Sequence, residues 1–111
     1  MKLRLEENSL RLRLSEAEVA QFAQTGRVVY TIVFGPAPGQ TLVYALEKLP
    51  VTDGTTAVRV RYEAGALAVE VPAPLAEEWT STEKNGFSGQ IRVAESQQLR
   101  ILVEKDLDCK H

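Results

Sequence analysis

Eight basic residues recur at alternating positions along this chain: Lys2, Arg4, Arg11, Arg13, Arg59, Arg61, Arg92 and Arg100. Leu3, Leu5, Leu10, Leu12 and Leu14 fill the places between the first four. If leucine marks the buried side, the cations share the opposite one. Arginine presents a planar fork of N–H donors that matches carboxylate and phosphate oxygens, so the chemistry this pattern offers is anion binding. The same face carries Glu6, Glu47, Glu63, Glu70 and Glu104. A two-residue turn at Glu7-Asn8 would set Arg4 opposite Arg11 and Lys2 opposite Arg13, which is unfavourable for like charges. In a second run of the same kind Arg59 would face Glu70, and Arg61 would face Ala68. Four cations near the N-terminus are therefore left without a local counter-charge. The alternative is a solvated sheet face neutralised by acids from neighbouring strands, since surface ion pairs contribute little.

Other chemistry is poorly represented. Asp106, Asp108, Cys109 and His111 could ligate a metal, but metal sites usually draw ligands from separate segments. His111 is the single histidine, which gives a His-based triad no support. Ser9, Ser15, Ser81, Ser88 and Ser96 fall in turns or caps without a nucleophile elbow. Glu77 and Glu78 read as an exposed helix face. With no Gly-rich phosphate loop and no basic-aromatic stripe, neither a nucleotide cofactor nor nucleic acid is expected. No metal or other cofactor is expected either.

The elements that must position the cations are legible. Strict alternation over Lys2–Leu5 and Leu10–Leu14 predicts a hairpin with one buried face, with Asn8 suited to a left-handed turn position. Ser15 and Glu18 spell a capping box, Leu14 and Val19 a hydrophobic staple, and Gly26 a stop. Strands are expected over 27–34 and 41–47, and a joint over 49–55. The order then repeats: a hairpin over 59–71, a helix opened by Pro72 and Pro74, and strands over 87–93 and 99–103. At one constant spacing Arg4 matches Arg61, Glu6 matches Glu63, Leu10 matches Leu67, Phe22 matches Trp79, and Glu47-Lys48 matches Glu104-Lys105. The fold class this predicts is α+β: a duplicated ββαββ unit in pseudo-repeats of about 1–50 and 57–107. It would form one domain, since halves of about 55 residues alone would be marginal. A mainly antiparallel eight-stranded curled sheet or barrel with two short helices would remove exposed edges. Tyr30, Tyr44 and Tyr62 fall on the apolar side and are expected in the core.

Composition narrows the setting. Of 111 residues, 44% are hydrophobic and 25% charged, with a formal net charge of -2, which argues against general affinity for nucleic acid or anionic membrane. No apolar run approaches the roughly 18 residues of a membrane span. The one cysteine excludes an internal disulfide and fits a reducing cytoplasm.

Two resemblances follow from these residues. Through NSLRLRLSEAEVAQF, LAEEW and ILVEKDLDC, the chain resembles a family of small uncharacterised bacterial proteins, which implies a bacterial, cytoplasmic protein and supplies no catalytic residues. In architecture it is similar to the triphosphate tunnel (CYTH-like) superfamily, whose eight-stranded barrel is lined with charged side chains. That superfamily's E-x-E-x-K strand binds the catalytic metal; here the corresponding strand reads Arg11-Leu12-Arg13-Leu14-Ser15, with bases in place of acids. In the second copy Ala68-Val69-Glu70-Val71-Pro72 keeps one acid. The resemblance thus implies anion binding without the metal site.

The expectation is a non-enzymatic cytoplasmic protein, monomer or homodimer, that binds an anionic small molecule or an acidic protein through its basic strand face. One alternative is a tunnel-type phosphohydrolase using the arginines with Glu6, Glu63, Glu70 and Glu104. Another is a structural module whose strand edge pairs with another chain.

Overall fold

The period-two runs become strands because alternation lets one side of each bury while the other stays wet. A computed structural model describes residues 1–54 and 56–106. Strands β1 (Lys2–Glu6) and β2 (Ser9–Leu14) form the first hairpin, with Leu10, Leu12 and Leu14 buried. A left-handed angle is taken by Glu7 (φ 51°), and in the second hairpin by Ala64 (50°) and Gly65 (79°). Asn8 donates its side-chain amide to the Gln98 carbonyl at 2.7 Å.

Helix α1 (Glu16–Thr25) begins as its sequence dictates, with both halves of the Ser15–Glu18 capping box formed. It ends at Gly26, whose φ of 77° lets its N–H donate to the Phe22 carbonyl, a conformation glycine adopts without a Cβ clash. Then come β3 (Arg27–Val33), β4 (Thr41–Lys48), a 3-10 turn at Val51–Asp53, β5 (Arg59–Glu63) and β6 (Ala66–Val71). Helix α2 (Ala73–Ser81) follows Pro72, and β7 (Gly86–Ala94) and β8 (Gln97–Lys105) complete the described chain. The order ββαββ thus occurs twice.

The sheet is neither a barrel nor one eight-stranded surface. The strands make two four-stranded mixed sheets, β1-β2-β8-β7 and β3-β4-β6-β5. Hairpin neighbours pair antiparallel, as expected, but the central pairs β2–β8 and β4–β6 are parallel. Each half thus lends one hairpin to each sheet. Hairpins announce themselves through turns; a parallel pair between distant strands leaves no local mark in sequence.

One apolar cluster joins both sheets and both helices. At its centre Trp79 meets Phe22 (centroids 6.0 Å apart) and Phe87 (5.4 Å, interplanar 88°), both in edge contacts. Its indole N–H donates to the Asn85 carbonyl at 3.0 Å, so no polar atom of this ring is stranded. Each large side chain buried there contributes about 1.5–3 kcal/mol. The tyrosines divide. Tyr44 is buried, but Tyr30 (41%) and Tyr62 (65%) are exposed. Tyr30 and Tyr62 share one cross-strand row with Tyr44 but stand on the edge strands β3 and β5, so alternation gave their side correctly and their depth wrongly.

Candidate functional site

The registers fix the charged face strand by strand. In the β1–β2 hairpin Lys2 faces Arg13, Arg4 faces Arg11 and Glu6 faces Ser9. The parallel β2–β8 pair then sets Ser9 beside Arg100, Arg11 beside Leu102 and Arg13 beside Glu104. Along β7, Ser88 lies beside Leu102, Gln90 beside Arg100 and Arg92 beside Gln98. Six of the eight predicted cations thus share the outer face of the first sheet.

They are not equivalent. Glu104 reaches both Arg13 (3.3 Å) and Arg11 (3.6 Å), while Asp106 meets Lys2 (2.9 Å) and Arg13 (3.4 Å). The Lys2–Arg13 end is thereby neutralised by acids brought in from β8 and the residue after it. The other end is poorer in acid. Arg4 has Glu6 at 3.8 Å, and Arg100 makes no ion pair among the described residues. Arg4, Arg11 and Arg100 line a concavity of about 570 Å³ together with Glu6, Leu102 and the β7 residues Ser88 and Gln90. Arg92 stands apart, beside a β-bulge at the far end of β7.

The remaining predicted cations, Arg59 and Arg61, lie on the outer face of the second sheet. There Glu70 faces Arg59 (3.4 Å), Arg61 holds both Glu70 (3.1 Å) and Glu47 (3.0 Å), and Glu47 also pairs with Arg27 (2.9 Å). The hydrogen bond to Glu70 and the charges of Glu47 and Glu70 push the Arg61 guanidinium above its ordinary pKa. Asp53 also lies 3.3 Å from Arg59, so three acids match three arginines and no concentration of positive charge is left. The eight cations therefore do not form one site.

The acids named for metal-assisted hydrolysis are divided as well. Glu6 and Glu104 belong to the first sheet, Glu63 and Glu70 to the second. No group of three or more potential metal ligands occurs among the described residues. Of the tail residues, Asp106 is tied to Lys2 and Arg13, while Asp108, Cys109 and His111 lie outside the described residues.

One carboxyl is strongly perturbed. Glu18 is partly desolvated, which on its own would raise its pKa, but hydrogen bonds from the Met1 ammonium, the Tyr30 hydroxyl and the Ser15 backbone N–H outweigh this and bring it to about 2. The same bond raises the Tyr30 hydroxyl above its usual value. Glu18 caps a helix and anchors β3; it borders no cavity described above.

Sequence reasoning missed Ser88, Gln90, Leu102 and Asp106; it placed Glu104 on the charged face and allowed for neutralisation from neighbouring strands, but did not match that acid to Arg11 and Arg13. Only the β2–β8 register makes that match.

This geometry belongs to a two-sheet α+β domain with one basic outer face. The chain belongs to a family of unknown function, DUF7009, matched over residues 1–111. No curated protein and no solved structure matches it. Among the described residues no helix is long and apolar enough to cross a membrane.

Proposed function

We propose that this domain binds a small polyanion, carrying phosphate or carboxylate groups, in the trough bordered by Arg4, Arg11 and Arg100. The observation that supports this reading is the uneven acid supply across one face: Glu104 and Asp106 sit at the Lys2–Arg13 end, while the three arginines of the trough share Glu6 and one contact from Glu104. Guanidinium forks at the rim suit paired anionic oxygens, and the Ser88 and Gln90 side chains suit neutral hydrogen bonds. In this reading the protein is non-enzymatic and works in a bacterial cytoplasm, where its lone cysteine stays reduced.

Thermal unfolding with tripolyphosphate at low salt tests it. At about ten times Kd, ligand would stabilise by about 1.4 kcal/mol and raise Tm by roughly 5–10 °C. Combining Arg4→Ala with Arg100→Ala should remove the rise. Unchanged melting with tripolyphosphate, citrate and pyrophosphate alike, or a rise that survives the double substitution, defeats the proposal.

A further inference from the structure

We infer that the free edge of β3 is a self-association surface, pairing antiparallel with β3 of a second copy so that two second sheets become one continuous sheet. The backbone argues this first. Lys48 N–H donates to the Gly26 carbonyl and Phe34 N–H to the Gln40 carbonyl, so even-numbered residues of β3 turn their backbone groups toward β4. Odd-numbered residues turn theirs away, by the alternation of an antiparallel ladder. At Arg27 those outward groups are already used: the Thr25 hydroxyl and the Gln21 amide both donate to its carbonyl, and its N–H donates to the Thr25 hydroxyl. Beyond it, Val29, Thr31 and Val33 make no hydrogen bond on that side among the described residues. The open ladder is thus centred on Thr31.

Charge selects the occupant. An antiparallel pair about a twofold axis brings each residue against its mirror position: Thr31 against Thr31, Val29 against Val33, Tyr30 against Ile32. No charge meets a like charge. The other three edges are protected against such pairing. The middle of β1 is Arg4 and that of β5 is Arg61, each of which would face itself, while β7 carries Arg92 and a bulge. Charges and bulges are the usual devices that keep an edge from pairing, and β3 has neither in its open stretch. It also displays apolar side chains at its end: Val33 is 68% and Phe34 70% exposed. An edge neutral against itself, adjoining exposed apolar side chains, fits a second copy of this chain in an isologous contact.

The test is the solution mass of the intact chain, measured by light scattering over a wide concentration range. Wild type should pass to twice 12.3 kDa, whereas Thr31→Lys, which sets two ammonium groups face to face, should remain at 12.3 kDa with an unchanged circular dichroism spectrum. A cross-link covers the case in which the lysine variant fails to fold. In a Cys109→Ser background, Thr31→Cys should oxidise to a covalent dimer, because opposed hydrogen-bonded positions lie about 5.5 Å apart, within disulfide range. Arg61→Cys at the β5 edge should not. A monomeric wild type at every concentration overturns the inference. So does a dimer indifferent to Thr31→Lys, or equal cross-linking from both edges. The surface lies on the second sheet, so its failure leaves the anion trough on the first sheet untouched, and the reverse also holds.

Discussion

Arg13 and Glu104 sit side by side across the parallel β2–β8 pair, guanidinium Nε 3.3 Å from the carboxylate. The contact joins residues near opposite ends of the chain, and it decides how the basic face is divided. With Glu104 between Arg11 and Arg13, and Asp106 beyond it, the first hairpin loses its charge conflict at one end and keeps it at the other. Arg4 still faces Arg11.

The division predicts unequal effects from removing equal charges. Arg100→Ala should weaken tripolyphosphate binding about tenfold, the loss of one charge-assisted contact of about 1.5 kcal/mol. Lys2→Ala should change the affinity less than twofold, because that ammonium is already committed to Asp106 at 2.9 Å. Isothermal calorimetry at low salt measures both. Equal losses from the two variants would mean that the face acts as a diffuse field rather than through the trough.

Removing the acid should move stability and binding in opposite directions. Glu104→Gln leaves Arg11, Arg13 and their hairpin partners Arg4 and Lys2 closer to unrelieved repulsion. A loss of about 0.5–1 kcal/mol is expected from half-exposed pairs of this kind. The freed positive charge should also tighten polyanion binding several-fold. Urea titration and calorimetry on one preparation read both quantities, and a stability loss without a gain in affinity would separate Glu104 from the trough.

The second of these effects shows what the sequence could and could not carry. Leucine alternation in 10–14, the Ser15–Glu18 box and the Gly26 stop each rest on contacts a few residues apart, so local pattern sufficed. The hairpin registers, Arg4 against Arg11 and Arg59 against Glu70, followed from turn length alone. What could not be read was which hairpin meets which. The parallel pairs β2–β8 and β4–β6 are specified only by how complete faces fit together, and they split an expected single sheet into two. The same gap concealed Glu104 and Asp106 as partners of the cations. Tyr30 and Tyr62 failed differently: alternation names a face, but which strands end at the edge of a sheet is a tertiary fact.

Gly86 tests the close approach of β7 to β8. A Cβ built there would lie 2.6 Å from the Val103 carbonyl oxygen and 2.9 Å from the Glu104 Cβ. The first of these atoms is backbone and cannot rotate aside, so Gly86→Ala must open the strand pair. Destabilisation of about 1–3 kcal/mol is expected, in the range of overpacking substitutions. Because Glu104 is the displaced neighbour, the Arg13 ion pair should loosen with it. Gly39→Ala, where an added Cβ meets nothing within 4 Å, is the control and should be close to neutral.

Glu18 predicts how the fold responds to acid. Its carboxyl lies at about 2 in the folded protein against an ordinary 4.5, so protonation costs more in the native state than in the unfolded one. The stabilisation is therefore fully present above the unfolded value and lost as pH falls from there through 2. The full shift corresponds to about 3 kcal/mol; solvent screening around this partly exposed group reduces the expected contribution to about 1–2 kcal/mol. Other carboxylates also protonate over this range, so the informative quantity is the difference between wild type and Glu18→Gln. That gap should stay constant between about pH 5 and 7 and close as pH approaches about 2. Denaturant melts across the interval measure it. A gap that does not narrow would show that Glu18 acts on stability through its shape and neutral hydrogen bonds, and not through the charge that ties α1 to the Met1 ammonium.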